Sequence, residues 1–207
     1  SQSMLSRREG PTSPELLAQL DSAVHATNEL AGSMLMAVQL QRDELVPSTL
    51  DFCVQPMLER IEAIFCARAQ ERGLRWVVLP SLAVVHADPA LLDRMVCNLV
   101  ANALRYTVRG GVLLSCRQRG SGVLIQVWDT GVGIAEADTA TLFEPFRRGA
   151  AARPGDQGLG LGLSIVAQCA RLLGITLACR SHPGRGSCFS LSVPLWEGAS
   201  SRSAGDK

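Results

Sequence analysis

The chain has 207 residues, of which 47% are hydrophobic and 19% charged, with a formal net charge of +1. That is enough chain for one full core and a small appendage, and short for two independent domains. The balance excludes a disordered polyampholyte and a nucleic-acid binder working by bulk charge, so partners must be argued from sites.

The opening SQSMLSRREG lacks the apolar core of a signal peptide, and no apolar run approaches the roughly 18 residues of a membrane span. The expectation is a cytoplasmic piece with no membrane contact of its own, from a parent that an inner-membrane anchor would suit. Ser1 to Met4 read as a cloning remnant. The cysteines Cys53, Cys66, Cys97, Cys116, Cys169, Cys179 and Cys188 form no CxxC pair, and most sit in apolar runs where a thiol acts as a small hydrophobe.

Ser13, Pro14 and Glu15 supply a capping hydroxyl, a proline at the first helical position and an acid near the positive end of the dipole. They predict a helix of about 30 residues, closed by Pro47. Its apolar positions (Leu16, Leu17, Leu20, Val24, Leu30, Met34 and Val38) recur at threes and fours, a stripe that another helix must cover. The cover is either the chain's own domain or, as the length favours, a dimer seam. A second helix is expected over 54–72, stopped by Gly73, then strands over 75–79 and 83–86. The fold proper is expected to begin near these strands.

Asp88 and Pro89 open a helix reaching about Tyr106, followed by VLLSCRQ and VLIQVWD as a hairpin around Gly120 to Gly122. After an irregular stretch come a helix over 160–173 and two strands, ITLACRS and SCFSLSV. Helices and strands interleave, which suggests an α/β two-layer sandwich with a mixed sheet.

On the helix after Pro89, Leu92, Met95, Val96, Leu99, Val100, Ala103 and Leu104 share one arc, which is core. Asn98, Asn102, Arg105 and Tyr106 fall on the opposite arc. Two asparagines a turn apart are poor helix formers. They form either a solvated face or one in which amide oxygens hold magnesium while the arginine meets a phosphate. In WDTGVGI, Asp129 ends a strand and is followed by Gly131 and Gly133. This is either an ordinary turn or a place where a carboxylate accepts a hydrogen bond from an exocyclic amine. GLGLGLSIV runs from Gly158 straight into a helix, whose first backbone N–H groups would suit a phosphate. It is neither a Walker loop nor a dinucleotide fingerprint. LFEPFRRG and AAARPGDQ, between these two features, read as a lid or as a surface loop.

In order, NLVANALRYT, DTGVGI, LFEPF, GLGLGLSIV and GRGSCFSLSVPL resemble the successive boxes of the histidine-kinase catalytic domain, within the superfamily that includes gyrase and mismatch-repair ATPases. The segment before Pro47 resembles the second helix of the dimerisation and phosphotransfer hairpin. The resemblance implies a Bergerat-type ATP-binding fold over 51–196, a partial dimerisation helix over 13–50, a tag or the end of a truncated first hairpin helix over 1–12, and a flexible tail over 197–207. It implies ATP and magnesium as ligands.

By the resemblance, Asn102 would hold the magnesium, with Asn98 and Arg105 placing the phosphates and Tyr106 near the nucleotide. Asp129 would bind the adenine amine, with Gly131, Gly133 and Ile134 around the base and Ser187 where the family often has threonine. Phe143 and Phe146 would anchor the lid and Arg147 would reach the triphosphate. Gly158, Leu159, Gly160, Leu161, Gly162 and Leu163 would wrap it. Arg105 stands where lysine is common, and Leu159 where a small hydroxyl residue is common.

The superfamily's hydrolytic members carry a glutamate four residues before the magnesium asparagine; here that position is Asn98, so the base is missing. The resemblance therefore implies transfer of the γ-phosphate to a histidine and relay to a receiver-domain aspartate of a response regulator, in a homodimer. None of His25, His86 and His182 lies in a phosphoacceptor setting, so the acceptor is expected outside this chain and autophosphorylation is expected to fail. A hydrolytic ATPase switch and a nucleotide-free dimerisation scaffold are the alternatives.

Overall fold

The computed structural model describes residues 45–120, 122–139, 141–145 and 160–194. The expected long helix from Ser13, most of the expected lid and the tail lie outside the described residues.

Strand β1 (Leu50–Cys53) pairs antiparallel with β3 (Val84–Ala87) as a small sheet. A five-stranded sheet runs in the order β2 (Arg75–Val78), β4 (Gly111–Arg119), β5 (Gly122–Asp129), β7 (Gly186–Pro194), β6 (Thr176–His182). Only β2 and β4 run parallel within it, so the sheet is mixed. Helices α1 (Gln55–Glu71), α2 (Pro89–Tyr106) and α4 (Gly162–Leu173) complete the second layer, and α3 is a single turn at Glu136–Thr139.

The expected α/β sandwich with a mixed sheet is what forms, but two parts of it were unforeseen. β1 lies outside every expected strand, because LDFC is too short and too mixed in polarity to stand out. A division between residues 50 and 51 therefore cuts through a strand. Leu45 also packs against the core, so the folded unit begins well ahead of β2. The turn α3 was the second, and α4 begins at Gly162 rather than at residue 160.

The elements end where local chemistry ends them. Past α1, Gly73 takes φ 62°, its N–H bonds Gln70 O and the Leu74 N–H bonds Ala69 O, satisfying carbonyls the helix leaves open. Gly174 closes α4 in the same left-handed way, with φ 65°. At the other end of α2, the Asp88 carboxylate accepts from the Ala90 and Leu91 N–H groups through Oδ1, while its Oδ2 accepts from the Ser48 N–H at 2.8 Å. One side chain thus caps the central helix and ties down the segment leading into β1.

α2 buries Leu91, Leu92, Met95, Val96, Leu99, Val100, Ala103 and Leu104, the arc its periodicity marks. Each large aliphatic side chain buried in this way contributes about 1.5–3 kcal/mol. Val123, Ile125 and Val127 of β5 and Phe189, Leu191 and Val193 of β7 complete the core from the sheet. Phe65 of α1 meets Trp76 of β2 edge-on, centroids 6.5 Å apart, and the Trp76 indole N–H donates to Glu62 O. None of the seven cysteines is in a disulfide. Burial pushes Cys169 and Cys179 up to about 11, and Cys116 and Cys188 also upward, so these thiols stay protonated and serve as packing.

Removing the Asp88 carboxylate leaves two first-turn N–H groups and the Ser48 N–H without their acceptor. Asp88→Ala is expected to lower the free energy of unfolding by about 2 kcal/mol, read from the guanidinium midpoint at unchanged slope.

Candidate functional site

The half-buried face of α2 meets the start of α4. Asn98 donates from Nδ2 to Arg94 O, one turn back on its own helix, at 3.0 Å. With the amide held that way, a Cβ placed on Gly162 would lie 3.2 Å from Asn98 Oδ1 and 3.6 Å from Asn102 Nδ2. Gly162 therefore keeps open the space between the two asparagines and the first turn of α4. That turn has no side-chain cap. Its leading N–H groups, which no helix carbonyl takes up, carry the positive end of the helix dipole beside that space. Arg105 and Tyr106 sit half-buried at the end of α2. Arg72, which no motif singled out, donates to Arg105 O and Thr107 O and places a cation at the helix C-terminus.

The turn after β5 is clamped between the end of α2 and the β6–β7 turn. The Val132 N–H reaches Tyr106 O, and the Gly184 N–H reaches Val132 O at 2.7 Å. A Cβ on Gly131 would come within 2.5 Å of Tyr106 O, and one on Gly133, at φ 70°, within 2.0 Å of His182 O. The chain's own backbone demands both glycines, whatever freedom they also grant a ligand.

Asp129 ends β5 opposite Ser187 of β7. Its Oδ1 accepts from the Gly131 N–H at 2.8 Å, and Ser187 donates to it from both backbone and side chain. Burial nevertheless outweighs these bonds and holds the carboxyl above its usual range. Ser187 Oγ lies 2.9 Å from Ser181 Oγ, which accepts from the Ile134 N–H at 2.8 Å and donates to Gly186 O. Ser181 thus wires the Asp129–Ser187 pair to the glycine turn. Sequence reading missed it, because the two serines are six positions apart along the chain and only the β6–β7 hairpin register makes them neighbours.

Of the residues named from sequence, Asn98, Asn102, Gly160, Gly162, Asp129, Gly131, Gly133, Ile134 and Ser187 line this end of the fold. The Leu161 side chain is buried in the core, so it offers the site only backbone. Leu163, Ile134 and Phe143 pack partly against the core. Phe146, Arg147, Gly158 and Leu159 lie outside the described residues. Among the described residues no three His, Cys, Asp or Glu side chains gather as a metal site, so a cation held here would rely on amide and ligand oxygens. A separate cleft of about 670 Å³ opens between β1 and the starts of α1 and α2, lined by Phe52, Met57, Pro89 and the Arg60–Asp93 ion pair, and takes no part in this constellation.

Residues 87–197 match the model of the histidine kinase-, DNA gyrase B- and HSP90-like ATPase family, more than half of the chain. The chain belongs to that family. Within this ATPase family it is a catalytic ATP-binding domain of the sensor histidine kinase kind. The sensor-like histidine kinase SenX3 of Mycobacterium tuberculosis is 43% identical over 169 residues, 80% of this chain and 41% of that protein. The virulence sensor protein BvgS of Bordetella bronchiseptica is 33% identical over 176 residues, 81% of this chain and 14% of that protein. The chain thus spans well under half the length of these relatives. Its fold superposes on the histidine kinase AdeS of Acinetobacter baumannii with a TM-score of 0.70 at 20% identity, covering 92% of this chain and 89% of that one. Full-length ShkA, solved in complex with AMPPNP, gives 0.70 at 25% identity, covering 90% of this chain and 40% of that one.

The raised Asp129 carboxyl has a stability consequence with a definite sign. The folded, ligand-free domain binds a proton there more readily than the unfolded chain, whose value lies near 3.8. The contribution is therefore fully present below the unfolded value and is lost as pH rises through the raised folded one. Asp129→Asn should abolish that step: unfolding midpoints of the two proteins, compared from about pH 4 to neutrality, are expected to diverge in favour of the variant as pH rises.

Proposed function

We propose that this domain holds magnesium-ATP between α2 and α4 and presents the γ-phosphate to a histidine outside the described residues, for relay to a receiver-domain aspartate of a response regulator. The observation that carries the reading is the juxtaposition at Gly162: two carboxamides on α2 face the uncapped first turn of α4, while the Asp129 carboxylate sits one short turn beyond the end of α2. Amide oxygens and helix N–H groups suit a cation and phosphates, and a desolvated carboxylate suits an exocyclic amine. The AMPPNP complex of the structurally similar ShkA supports a nucleotide at such a site.

In this reading Asn102 holds magnesium, which bridges and neutralises phosphate oxygens when bound. Asn98 and Arg105 orient the phosphates, and Asp129, positioned by Ser187 and Ser181, selects adenine. Residues Phe146, Arg147, Gly158 and Leu159 belong to the proposed lid and phosphate loop. No side chain on the Asn98 position can take a proton from water, so the site positions ATP for an incoming nucleophile instead of hydrolysing it. Of the described histidines, His86 is hydrogen-bonded to Asp51 across β1 and β3, and His182 sits at the β6–β7 turn. Neither is presented on a helix face. The proposed acceptor helix and its pairing in a homodimer complete the kinase, with the segment from Ser13 that ends ahead of β1 as one partner helix and the unit that includes β1 as the catalytic part.

Calorimetric titration with a non-hydrolysable ATP analogue tests the reading. Binding is expected to strengthen with magnesium and to exceed GTP-analogue binding. Asn102→Ala should cost at least about tenfold in the magnesium-dependent part, equivalent to about 1.4 kcal/mol. Asp129→Ala should erase the preference for adenine over guanine. Unchanged magnesium-ATP affinity in Asn102→Ala would sink the role given to that residue, and steady phosphate release by the unaltered chain would replace transfer with hydrolysis.

A further inference from the structure

We propose that the outer face of the five-stranded sheet, the one turned away from the helices, docks an acidic segment of a partner protein. The two faces of the sheet differ sharply. Val112, Leu114, Val123, Ile125, Val127 and their neighbours of the same parity belong to the core cluster, whereas Val77, Leu113, Leu124, Trp128 and Cys188, of the opposite parity, do not. Among the described residues no helix covers that second face. Trp128 is 44% exposed and Leu79 45%, with Val77 and Leu113 half-buried between them. Leu124 and Gln126, toward the β4–β5 turn, are buried. The apolar surface open to a partner is therefore the row running from Val77 through Leu113 and Trp128.

Charge is as one-sided as hydrophobicity. By register, Arg75 of β2, Arg117 and Arg119 of β4 and Arg180 of β6 share this outer face, and all four are exposed. None has a carboxylate partner among the described residues. Every described Asp and Glu belongs to β1, to the helices or their flanks, to the turn at Glu144, or to the far side of β5 at Asp129, so none of the described acids shares this face with the four guanidiniums. Unpaired exposed arginines are ordinary singly. Arg75 and Arg180 lie at the two ends of the row through the exposed Trp128, while Arg117 and Arg119 continue the charge along β4 toward the β4–β5 turn; with no described acid on that face they form a field complementary to carboxylates, and the planar guanidinium is suited to gripping carboxylates in pairs.

The dimensions narrow the partner. Four strand spacings of about 4.8 Å set Arg75 and Arg180, on the two edge strands, about 19 Å apart. An occupant must present carboxylates at about that separation with an apolar residue between them. A bilayer fits less well. The apolar side chains lie in the plane of a sheet and are at most half exposed, and nothing projects far enough to enter a headgroup layer. Half-buried Ser115 offers a hydroxyl in the next row, where Gln126 is buried and already donates to Ser190.

The test uses the full chain, isotope-labelled, titrated with the synthetic peptide Glu-Ser-Leu-Ser-Leu-Ser-Glu, which when extended places two glutamates roughly 20 Å apart with leucines between them on the same side. The expected result is chemical-shift change centred on Trp128 and Leu113. The double variant Arg75→Glu/Arg180→Glu should bind at least tenfold more weakly. Arg68→Glu/Arg171→Glu, which makes the same change in net charge on the helical layer, should bind as the parent does. Nucleotide-analogue binding, retained in both variants, shows that they fold. Equal losses in the two variants, shifts scattered over the helical layer, no measurable binding, or binding to phosphatidylserine vesicles in place of the peptide would each overturn the proposal.

Discussion

Everything at the site depends on the rotational setting of α2. Eight side chains from Leu91 to Leu104 are buried along one side of that helix, and turning it by even a third of a turn would expose several of them at about 1.5–3 kcal/mol each. The helix therefore has one orientation. Asn98 and Asn102 point at the start of α4 because the opposite arc has no alternative. The polar face is specified by its apolar complement, and the stiffness that positions the amides comes from the core.

The two ends of α2 then distribute the remaining constraints. At its start, Asp88 caps the helix and accepts from Ser48, so the segment entering β1 is bound to the element that carries the asparagines. At its end, Tyr106 O and Thr107 receive the glycine turn and Arg72, so the carboxylate of Asp129 is held at a set distance from the amides. Asp129 itself is kept partly desolvated, at a cost in the ligand-free protein that its hydrogen bonds from Gly131 and Ser187 only partly offset. A group destabilised in this way gains when a ligand replaces the lost water, which is the usual signature of a binding residue.

The two faces of the sheet are used differently. One is spent on the core, and the other carries arginines and a tryptophan on strands whose alternation would allow acids there as readily as bases. The face proposed to hold nucleotide and the outer face are separated by the thickness of the sheet, with Trp128 and Asp129 as adjacent residues on opposite sides. A partner on the outer face would thus touch the strand whose last residue is Asp129, the carboxylate proposed to select adenine.

Much of this was legible in the chain itself. The start of α2 follows from Asp88 and Pro89, its core arc from the period of Leu, Val and Met, and the end of α1 from Gly73, because caps and periodicity are local properties. The asparagine pair, the DTGVGI turn and the glycine-rich helix entry were each readable as separate motifs, and their order carried the family. What the chain alone did not decide is long-range. β1 is too short to announce itself and exists by pairing with β3; Ser181 matters only through hairpin register; and Gly131 and Gly133 turn out to be required by Tyr106 O and His182 O, contacts across distant segments. Local sequence determines which elements form and where they stop, whereas only tertiary packing brings the amides, the helix start and the carboxylate to one place, since those contacts exist between elements and not within them.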